Sequence, residues 1–457
     1  MLKGIKKVHF IGIGGAGMSA LARILIDKGY TVTGSDMKKS PIVEQLSDRG
    51  AQIWQGHAAG NVDGAEAIVV STAIPDSNPE VIAAKERGLK RLHRSDVNAF
   101  LLNAAEGIAV AGAHGKTTTT SMIGVVLDHA GVSPTIIIGG EVDYLGSNAK
   151  LGKGKYLVSE ADESDGSFLK LKPHIAVVTN VEDDHMDYYG TMDNIRKAFR
   201  QFIENIDHET GNAVLCFDNE NIRNIAAQVK RPIISYAIDH EADYKAVDIK
   251  PQGAGISFAV QYKGEKLGRI VLNIPGRHNV LNALATVAVA RLAEVDFDKI
   301  AEGFTLFNGA KRRFETKGRK AGVWVVDDYA HHPTEIASTL IAARQTEHKR
   351  LICAFQPHRY TRTKLLVEEF GSCFKEADIL LLTNVYSAGE APIPGVDGRL
   401  IEKSVLEKTG RQAIYIPERG NIAEQLAKIA KPGDLIITMG AGDIFLTGPE
   451  LLAKLKD

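Results

Sequence analysis

The strongest chemical feature of this sequence is a glycine-rich segment that carries a lysine and a threonine. Its residues are Gly112, Ala113, His114, Gly115, Lys116, Thr117 and Thr118. Backbone N–H groups of such a loop can surround phosphate oxygens, Lys116 can neutralise them, and the Thr117 hydroxyl can ligate magnesium. The complete phosphate-loop pattern would have glycine where Val110 stands, but the Gly-Lys-Thr core is intact. We therefore predict a nucleoside triphosphate site rather than a turn with a solvated lysine.

A second glycine loop lies near the amino terminus. Its glycines are Gly12, Gly14, Gly15 and Gly17, and Asp36 ends the next predicted strand. This spacing is typical of a strand–loop–helix turn that binds a diphosphate. The pattern alone does not distinguish a dinucleotide cofactor from a nucleotide-linked substrate. Because an oxidoreductase has no use for triphosphate hydrolysis, the first loop favours a ligase with a nucleotide-linked substrate.

Acidic residues follow two predicted strands of the middle region. One strand ends at Glu160 in the run EADESD, and another leads into NVEDDHMD, which contains His185. Magnesium prefers carboxylate and phosphate oxygens. We predict that Glu160 and His185 hold a metal ion together with Thr117. Solvated acidic turns are the alternative for the other carboxylates.

Polar residues at a later helix start suggest a further nucleotide contact. His278, Asn279 and Asn282 begin this helix, and amide side chains there can contact an adenine edge, although a helix cap is the alternative. The basic run that contains Arg312 and Arg313 follows, and we predict that one of these two arginines approaches the γ-phosphate. A solvated basic hinge is the competing interpretation.

The carboxyl-terminal region has two strand ends with unusual residues. One reads Asp-Asp-Tyr-Ala-His-His-Pro and contains Asp328, Tyr329 and His331, for which contacts to ribose or substrate are more consistent with the spacing than zinc. The other contains Arg359 and Arg362, whose spacing suits bidentate capture of a small carboxylate. For Arg362, capping or solvating the next helix is the alternative.

Short β-branched runs alternate with amphipathic helices, which predicts an α/β protein with mostly parallel sheets. We predict three domains: a Rossmann-like domain at 1–105, a central phosphate-loop domain with a small antiparallel insertion at 106–314, and a Rossmann-like domain at 315–457. The insertion spans Ala242 to Pro275, and a helix is predicted over Lys364–Phe374.

Composition narrows the functional classes. A formal net charge of −1 over 457 residues gives no reason to expect nucleic acid as a partner. The sequence has no signal-peptide core and no apolar run near the ~20 residues that span a bilayer. Three scattered cysteines suggest buried thiols. We therefore expect a cytoplasmic protein with small-molecule partners, and the sequence leaves its oligomeric state open.

Taken together, these segments resemble the Mur ligase family over nearly the whole chain. The segments that carry the resemblance are HFIGIGGAGMS at 9–19, GAHGKTT at 112–118, the two acidic runs, GRHNVLN at 276–282, KRRF at 311–314, DDYAHHPTE at 327–335 and QPHRYTR at 356–362. They are most similar to the alanine-adding members of the family. Phe199 stands where several relatives have a modified lysine, so that feature is not expected here.

The resemblance implies an activity and a role for each segment. The expected reaction joins L-alanine to the lactyl carboxylate of UDP-N-acetylmuramate through an acyl phosphate, with ATP as energy source and Mg²⁺, or Mn²⁺ in its place, as metal. It implies that the amino-terminal glycine loop binds the UDP-sugar, the Gly112–Thr118 loop binds ATP, and Arg313 contacts the ATP phosphates. It also implies that Asp328 contacts the ATP ribose and that the alanine site contains Arg359, Arg362, Tyr329 and His331. Alternatives are a sister ligase that adds a peptide or extends folate, an NAD-dependent oxidoreductase, and a non-catalytic nucleotide-sugar binding protein.

Overall fold

The computed structural model describes residues 2–206 and 210–455, apart from the side chain of Asp187. Contacts divide the chain into two compact units. The first contains the chain through Asp248 together with Phe258–Ile270 and Leu281–Phe307. The second contains Ile249–Ser257, Val271–Val280 and the chain from Asn308 onward. The finer division at 105 and 314 stays a prediction.

Five parallel strands form the amino-terminal sheet, in the order β3-β2-β1-β4-β5. The strands are β1 (Lys7–Ile11), β2 (Thr31–Asp36), β3 (Gln52–Gln55), β4 (Ala67–Val70) and β5 (Lys90–His93). The chain order reverses between β1 and β4, and ligands of open α/β sheets bind at such a switch point. The amino-terminal glycine loop follows β1 there, as the predicted Rossmann-like architecture requires.

The central sheet has ten strands in the order β15-β14-β13-β12-β11-β10-β6-β9-β7-β8. The strands are β6 (Glu106–Ala111), β7 (Thr135–Val142), β8 (Ser147–Lys150), β9 (Tyr156–Glu160), β10 (Ile175–Val178), β11 (Asn212–Cys216), β12 (Ile233–Ala237), β13 (Tyr244–Gln252), β14 (Gly255–Tyr262) and β15 (Glu265–Leu272). Strands β9, β6, β10 and β11 are parallel neighbours, so the loops at their carboxyl ends lie side by side. Two-residue turns connect β13, β14 and β15, and turns of this length join antiparallel strands. The predicted antiparallel insertion is confirmed.

The carboxyl-terminal sheet has the order β16-β17-β21-β18-β19-β20. Its strands are β16 (Glu315–Lys320), β17 (Val323–Asp328), β18 (Arg350–Phe355), β19 (Ile379–Leu382), β20 (Ile414–Tyr415) and β21 (Asp434–Met439). Only the β16–β17 pair among these described strands is antiparallel. The buried strands β17, β21 and β18 are adjacent, which brings the loops after them to one edge of the sheet.

Helices cover the sheets. Within the described ranges they are α1 (Ala16–Asp27), α2 (Pro41–Asp48), α3 (Pro79–Glu86), α4 (Arg94–Leu102), α5 (Lys116–His129), α6 (Met186–Tyr189), α7 (Met192–Glu204), α8 (Glu220–Ala226), α9 (Arg277–Leu292), α10 (Phe297–Thr305), α11 (Pro333–Arg344), α12 (Tyr360–Leu365), α13 (Val367–Cys373), α14 (Gly398–Thr409), α15 (Ile422–Ile429) and α16 (Thr447–Lys454). The single helix predicted over Lys364–Phe374 is wrong, because Leu366 leaves the helical region with φ −106° and ψ 24° and separates α12 from α13.

The three cysteines are buried, as the sequence predicts. Phe199 also packs in the core, with its ring centroid 5.2 Å from that of Phe168. None of the helices in the described part of the chain is long and apolar enough to cross a membrane.

Candidate active site

The loop between β6 and α5 depends on two glycines. Gly112 has φ 138° and Gly115 has φ 83°, a region that favours glycine. A Cβ at Gly112 would lie 2.1 Å from Thr179 Oγ1, and one at Gly115 would lie 2.7 Å from Asn282 Oδ1. Only glycine therefore lets the backbone follow this path between β10 and α9.

Residues at the end of β10 hold this loop in place. Thr179 Oγ1 donates to the carbonyl of His114 at 2.5 Å, and Asn180 Nδ2 donates to the same oxygen at 2.9 Å. The N–H of His114 donates in return to Asn180 Oδ1 at 2.8 Å. The His114 ring lies 3.1 Å from a carboxylate oxygen of Glu182. The loop is thus preorganised by its neighbour strand, as a phosphate cradle needs to be.

Lys116 begins α5, and its ammonium group folds back over the loop. Nζ donates to the carbonyls of Gly112 and Ala113 at 2.5 and 3.2 Å and to Glu163 Oε1 at 2.6 Å. Burial lowers the pKa of Lys116, but the surrounding carboxylates, Glu163 first, outweigh burial and raise it. The lysine is therefore a fully charged cation at the mouth of the loop.

Glu163 is the buried partner of Lys116. Burial raises the pKa of Glu163 to about 7, although the lysine charge opposes this shift. Its second oxygen, Oε2, has no hydrogen-bond partner among the described residues. His185 Nε2 lies 3.7 Å from Oε1, and the Tyr189 hydroxyl donates to the Glu163 carbonyl at 2.6 Å. The predicted residues Lys116 and His185 therefore meet at a carboxylate that the sequence did not single out.

The predicted metal ligands Glu160 and Thr117 face the same stretch of β7. Glu160 Oε1 accepts from the N–H of Gly139 at 2.7 Å. A Cβ at Gly139 would lie 2.9 and 3.0 Å from the two Glu160 carboxylate oxygens, and one at Gly140 would lie 3.5 Å from Thr117 Cγ2. The lack of a side chain at Gly139 therefore lets the Glu160 carboxylate lie directly against the backbone of β7. Carboxylate and hydroxyl oxygens beside a phosphate loop fit a hard cation such as Mg²⁺.

The residues predicted at the start of α9 have different surroundings. His278 is exposed, whereas Asn279 is buried and its Nδ2 donates to the Pro275 carbonyl at 2.7 Å. Asn282 is buried, and its side-chain oxygen faces Gly115 of the loop. Asn282 is thus next to the predicted phosphate loop, while the side chain of Asn279 bonds back to the carbonyl of Pro275 before α9.

The amino-terminal glycine loop is bound to the end of β2. The N–H groups of Gly12 and Ile13 donate to the Ser35 carbonyl at 2.8 and 3.0 Å. The N–H of Gly14 donates to Asp36 Oδ2 at 2.9 Å. Gly15 precedes α1 without a side-chain cap, and Gly17 is its second residue. The structure therefore brings the predicted glycines and Asp36 together, with Asp36 shaping the loop.

Asp328 is a buried carboxylate at the end of β17. Its Oδ2 accepts from the N–H of Phe314 and its Oδ1 from the N–H of Ala330, both at 2.8 Å. Burial raises the pKa of Asp328 to about 6, although the Arg313 charge and these hydrogen bonds lower it. These two hydrogen bonds hold the backbone at Phe314 and at Ala330 in place. The contact of Asp328 with an ATP ribose stays a prediction.

Tyr329, His331 and Arg313 form one group. The Arg313 guanidinium carbon lies 5.2 Å from the Tyr329 ring centroid, and Arg313 Nη1 lies 3.8 Å from Glu335 Oε1. His331 Nδ1 donates to the Tyr329 carbonyl at 3.0 Å and lies 3.4 Å from Glu335 Oε2. Burial lowers the pKa of His331 to about 4, and the charges of Arg362 and Arg313 act in the same direction. The charge of Glu335 opposes this shift but does not outweigh burial, so His331 is a neutral ring.

Arg362 and Arg359 differ in their placement. Arg362 Nη1 lies 3.3 Å from His358 Nδ1, and the His358 ring is 5.9 Å from that of His331, so Arg362 joins the Tyr329 group. Arg359 is exposed, has φ 71°, and its N–H donates to the Tyr386 carbonyl at 2.8 Å. This left-handed backbone turns the chain sharply between β18 and α12. The two arginines thus lie on one turn, as their spacing predicts.

The predicted site residues fall into three groups, one at each sheet. The glycine loop with Asp36 and the Lys116 group lie in the first compact unit, and the Arg313, Tyr329 and Arg362 group lies in the second. Sequence reasoning missed Glu163, Asn180, Glu335 and His358. Each of these four residues lies in a candidate segment that follows a predicted strand, so its position after a strand could have indicated it. The sequence does not show which way a side chain points, and it therefore could not select these residues within their segments.

Comparison with family models identifies the class of protein. The Mur ligase family catalytic domain matches residues 7–106, the Mur ligase middle domain matches 110–290, and the Mur ligase glutamate ligase domain matches 312–442. These matches cover most of the chain. The chain belongs to the Mur ligase family, and the predicted membership and α/β fold are confirmed.

Individual relatives narrow the comparison. A protein of Trichlorobacter lovleyi named UDP-N-acetylmuramate–L-alanine ligase is 50% identical over 457 residues and covers 100% of both chains. The crystal structure of UDP-N-acetylmuramate-alanine ligase from Thermotoga maritima superposes with a TM-score of 0.84 at 28% identity, covering 98% of each chain. A murein peptide ligase from Psychrobacter arcticus superposes with a TM-score of 0.75 at 26% identity, also covering 98% of each chain.

Proposed function

We propose that this chain is an ATP-dependent ligase that forms the amide bond between the lactyl carboxylate of UDP-N-acetylmuramate and L-alanine, a step of peptidoglycan precursor synthesis. The observation that carries this proposal is 50% identity over the full length of a protein of that name. The proposed substrates are small molecules. The absence of a helix that could span a membrane among the described residues agrees with a cytoplasmic site of action.

The reaction needs an activated carboxylate. A carboxylate resists attack by an amine because its charge deactivates the carbonyl carbon and no leaving group is present. Transfer of the γ-phosphoryl group of ATP to a carboxylate oxygen gives an acyl phosphate and ADP. The alanine nitrogen then bonds to the carbonyl carbon, loses a proton, and inorganic phosphate leaves with the carbon–oxygen bond electrons. Catalysis of this kind depends mainly on placement and on cations that neutralise developing charge.

Lys116 is the proposed cation at the ATP phosphates. Its ammonium group now bonds to Glu163 and two loop carbonyls, and phosphate oxygens would replace these acceptors. Thr117, Glu160 and His185 are the proposed holders of Mg²⁺, which would supply charge neutralisation at the phosphates when bound. Asn282 beside Gly115 supports a nucleotide site at this loop. Arg313, His278, Asn279 and Asp328 complete the proposed ATP contacts.

Tyr329, His331, Arg359 and Arg362 are the proposed alanine site. An amino acid presents a carboxylate and an amine, which need a cationic donor and a neutral acceptor respectively. Arg362 and Arg359 supply guanidinium donors on one turn. His331 donates from Nδ1 to the Tyr329 carbonyl, which leaves the lone pair on Nε2. This combination supports an amino acid as the second substrate.

The direct test is release of ADP and phosphate by the full chain. We expect release only when UDP-N-acetylmuramate, L-alanine and Mg-ATP are all present. Release with an L-alanyl peptide in place of L-alanine would show a murein peptide ligase activity and contradict the proposal. The Lys116→Ala variant serves as control, because phosphate release that persists in it comes from a contaminant. Oxidation of NADH by the protein would favour the oxidoreductase alternative.

A further inference from the structure

Arg94 lies between two loops that are proposed to bind different substrates. One is the amino-terminal glycine loop, proposed to bind the nucleotide-linked substrate, and the other is the acidic segment beside the proposed ATP site. It is the first residue of α4, directly after β5. Its Nη2 donates to Asp162 Oδ2 in the acidic segment after β9. On the other side, a Cβ at Gly17 would lie 3.2 Å from Arg94 Nη1. The guanidinium group therefore lies between the amino-terminal glycine loop and the segment that contains Glu163.

The side of the guanidinium group that faces Gly17 can take another acceptor. Within the described part of the chain, the structure gives Nη1 no hydrogen-bond partner, and 29% of the Arg94 side chain is exposed. Gly17 has no side chain that would cover this nitrogen. An arginine has five N–H donors in a planar fork, so one guanidinium can bond to a carboxylate and to a phosphate at the same time.

Asp162 is a rigid anchor for Arg94. Its Oδ1 accepts from the N–H of Ser164 at 3.0 Å, and its carbonyl accepts from the N–H of Phe168 at 3.1 Å. These two hydrogen bonds fix the side chain and backbone of Asp162, so its Oδ2 holds Arg94 beside the start of α1.

We propose that Arg94 is a substrate-positioning residue, which contacts the diphosphate of the nucleotide-linked substrate at the amino-terminal glycine loop while it stays paired with Asp162. This inference rests on the proposed function and adds a residue to its nucleotide-sugar site. Asp162 directly precedes Glu163, and Glu163 accepts a hydrogen bond from Lys116. The Arg94–Asp162 pair therefore connects the proposed diphosphate position with the segment that bonds to Lys116.

A purely structural role for Arg94 is the competing explanation. Other contacts also join α4 to β9 and to the chain beyond the acidic segment: Ser159 Oγ donates to Asn98 Oδ1 at 2.9 Å, and Lys170 Nζ lies 2.6 Å from Asp96 Oδ1. Lys170→Gln removes one ion pair from this junction without altering the surroundings of Gly17. It is therefore the matched control for Arg94→Gln.

The experiment measures the affinity of the full chain for UDP by titration calorimetry. We expect Arg94→Gln to weaken UDP binding on the order of tenfold, which is typical of a lost charge-assisted hydrogen bond. The UDP affinity of Arg94→Lys should lie between those of the wild type and Arg94→Gln, since lysine keeps the positive charge but lacks the planar set of N–H donors. Asp162→Asn, which keeps an acceptor for Ser164, should weaken UDP several-fold because it releases the arginine. Lys170→Gln should stay within about twofold of the wild type.

Two outcomes overturn the proposal. Equal UDP affinity in Arg94→Gln and Lys170→Gln would leave Arg94 with a structural role only, and an unchanged affinity in Asp162→Asn would remove the orienting role of that carboxylate. The UDP titration does not depend on turnover. Amide formation by the wild type with no loss of UDP affinity in Arg94→Gln therefore rejects this inference alone, whereas UDP binding without amide formation rejects the proposed function alone.

Discussion

Lys116 and Glu163 form an ion pair in which Nζ lies 2.6 Å from Oε1, and 47 residues separate them in the chain. Only 4% of the Glu163 side chain and 18% of the Lys116 side chain are exposed. A lysine of a phosphate loop has to bond to phosphate oxygens, so the carboxylate of Glu163 competes with the nucleotide for the same ammonium group. This competition makes the pair a sensitive point for testing the ATP site.

Replacement of Glu163 with Gln should strengthen nucleotide binding. The amide keeps the size of the side chain but removes a negative charge near the phosphates, so we expect ADP without magnesium to bind several-fold more tightly, as measured by calorimetry. The exposed Glu302→Gln variant removes the same charge at the surface beside His129 and should bind ADP like the wild type. Weaker ADP binding by Glu163→Gln would contradict a competing role for Glu163.

Replacement of Gly115 with Ala should strongly weaken productive ATP binding. The new Cβ would lie 2.7 Å from Asn282 Oδ1, and φ 83° adds about 1–2 kcal/mol of strain for a side chain. We expect kcat/KM for ATP to fall on the order of 100-fold in a phosphate-release assay.

Gly131→Ala is the matched control for Gly115→Ala. Gly131 has φ 85°, and nothing lies within 4 Å of a Cβ placed there. The substitution therefore introduces the same backbone strain as Gly115→Ala but no collision. It should lower the free energy of unfolding and leave ATP kinetics unchanged. Similar ATP kinetics in both variants would show that the path of the Gly112–Thr118 loop does not depend on the close approach to Asn282.

The loops of this protein could be predicted from the sequence more completely than the contacts within them. The Gly112–Thr118 loop was recognisable because its glycines and lysine are close in sequence, and the structure places it where a strand meets a helix. The pairing of Lys116 with Glu163 was not recognisable, since three carboxylates follow β9 within five positions and only the fold decides which one is buried. Arg94 was missed because an arginine at a helix start usually contacts solvent.

The pH dependence of stability should report the burial of His331. Its pKa is about 4 in the folded protein and near 6.5 in an unfolded chain, so between these values the unfolded chain binds a proton that the folded protein does not. Stability from this group is therefore complete above about pH 6.5 and is lost as the pH falls toward 4.

Urea unfolding at several pH values measures this effect. We expect His331→Asn to flatten the decline of the free energy of unfolding between pH 6.5 and 4.5 by up to about 1.4 kcal/mol per pH unit. The same substitution at His129, a partly exposed ring on the protein surface, should leave the slope of the wild type almost unchanged. An equal slope in His331→Asn and the wild type would mean that His331 binds its proton equally well in both states.

Arg359 provides the sharpest test of the amino-acid site. Arg359→Ala removes an exposed guanidinium on the turn that also carries Arg362. Loss of a charge-assisted contact to a carboxylate should raise KM for L-alanine on the order of 10- to 100-fold, with little change in KM for ATP.

Arg399→Ala is a suitable control, because the Arg399 guanidinium lies 4.6 Å from the Tyr415 ring and Arg399 is not among the proposed site residues. Steady-state phosphate release with varied L-alanine measures both constants. An unchanged KM for L-alanine in Arg359→Ala would assign carboxylate recognition to Arg362 alone, whose Nη1 is 3.3 Å from His358 within the Tyr329 group.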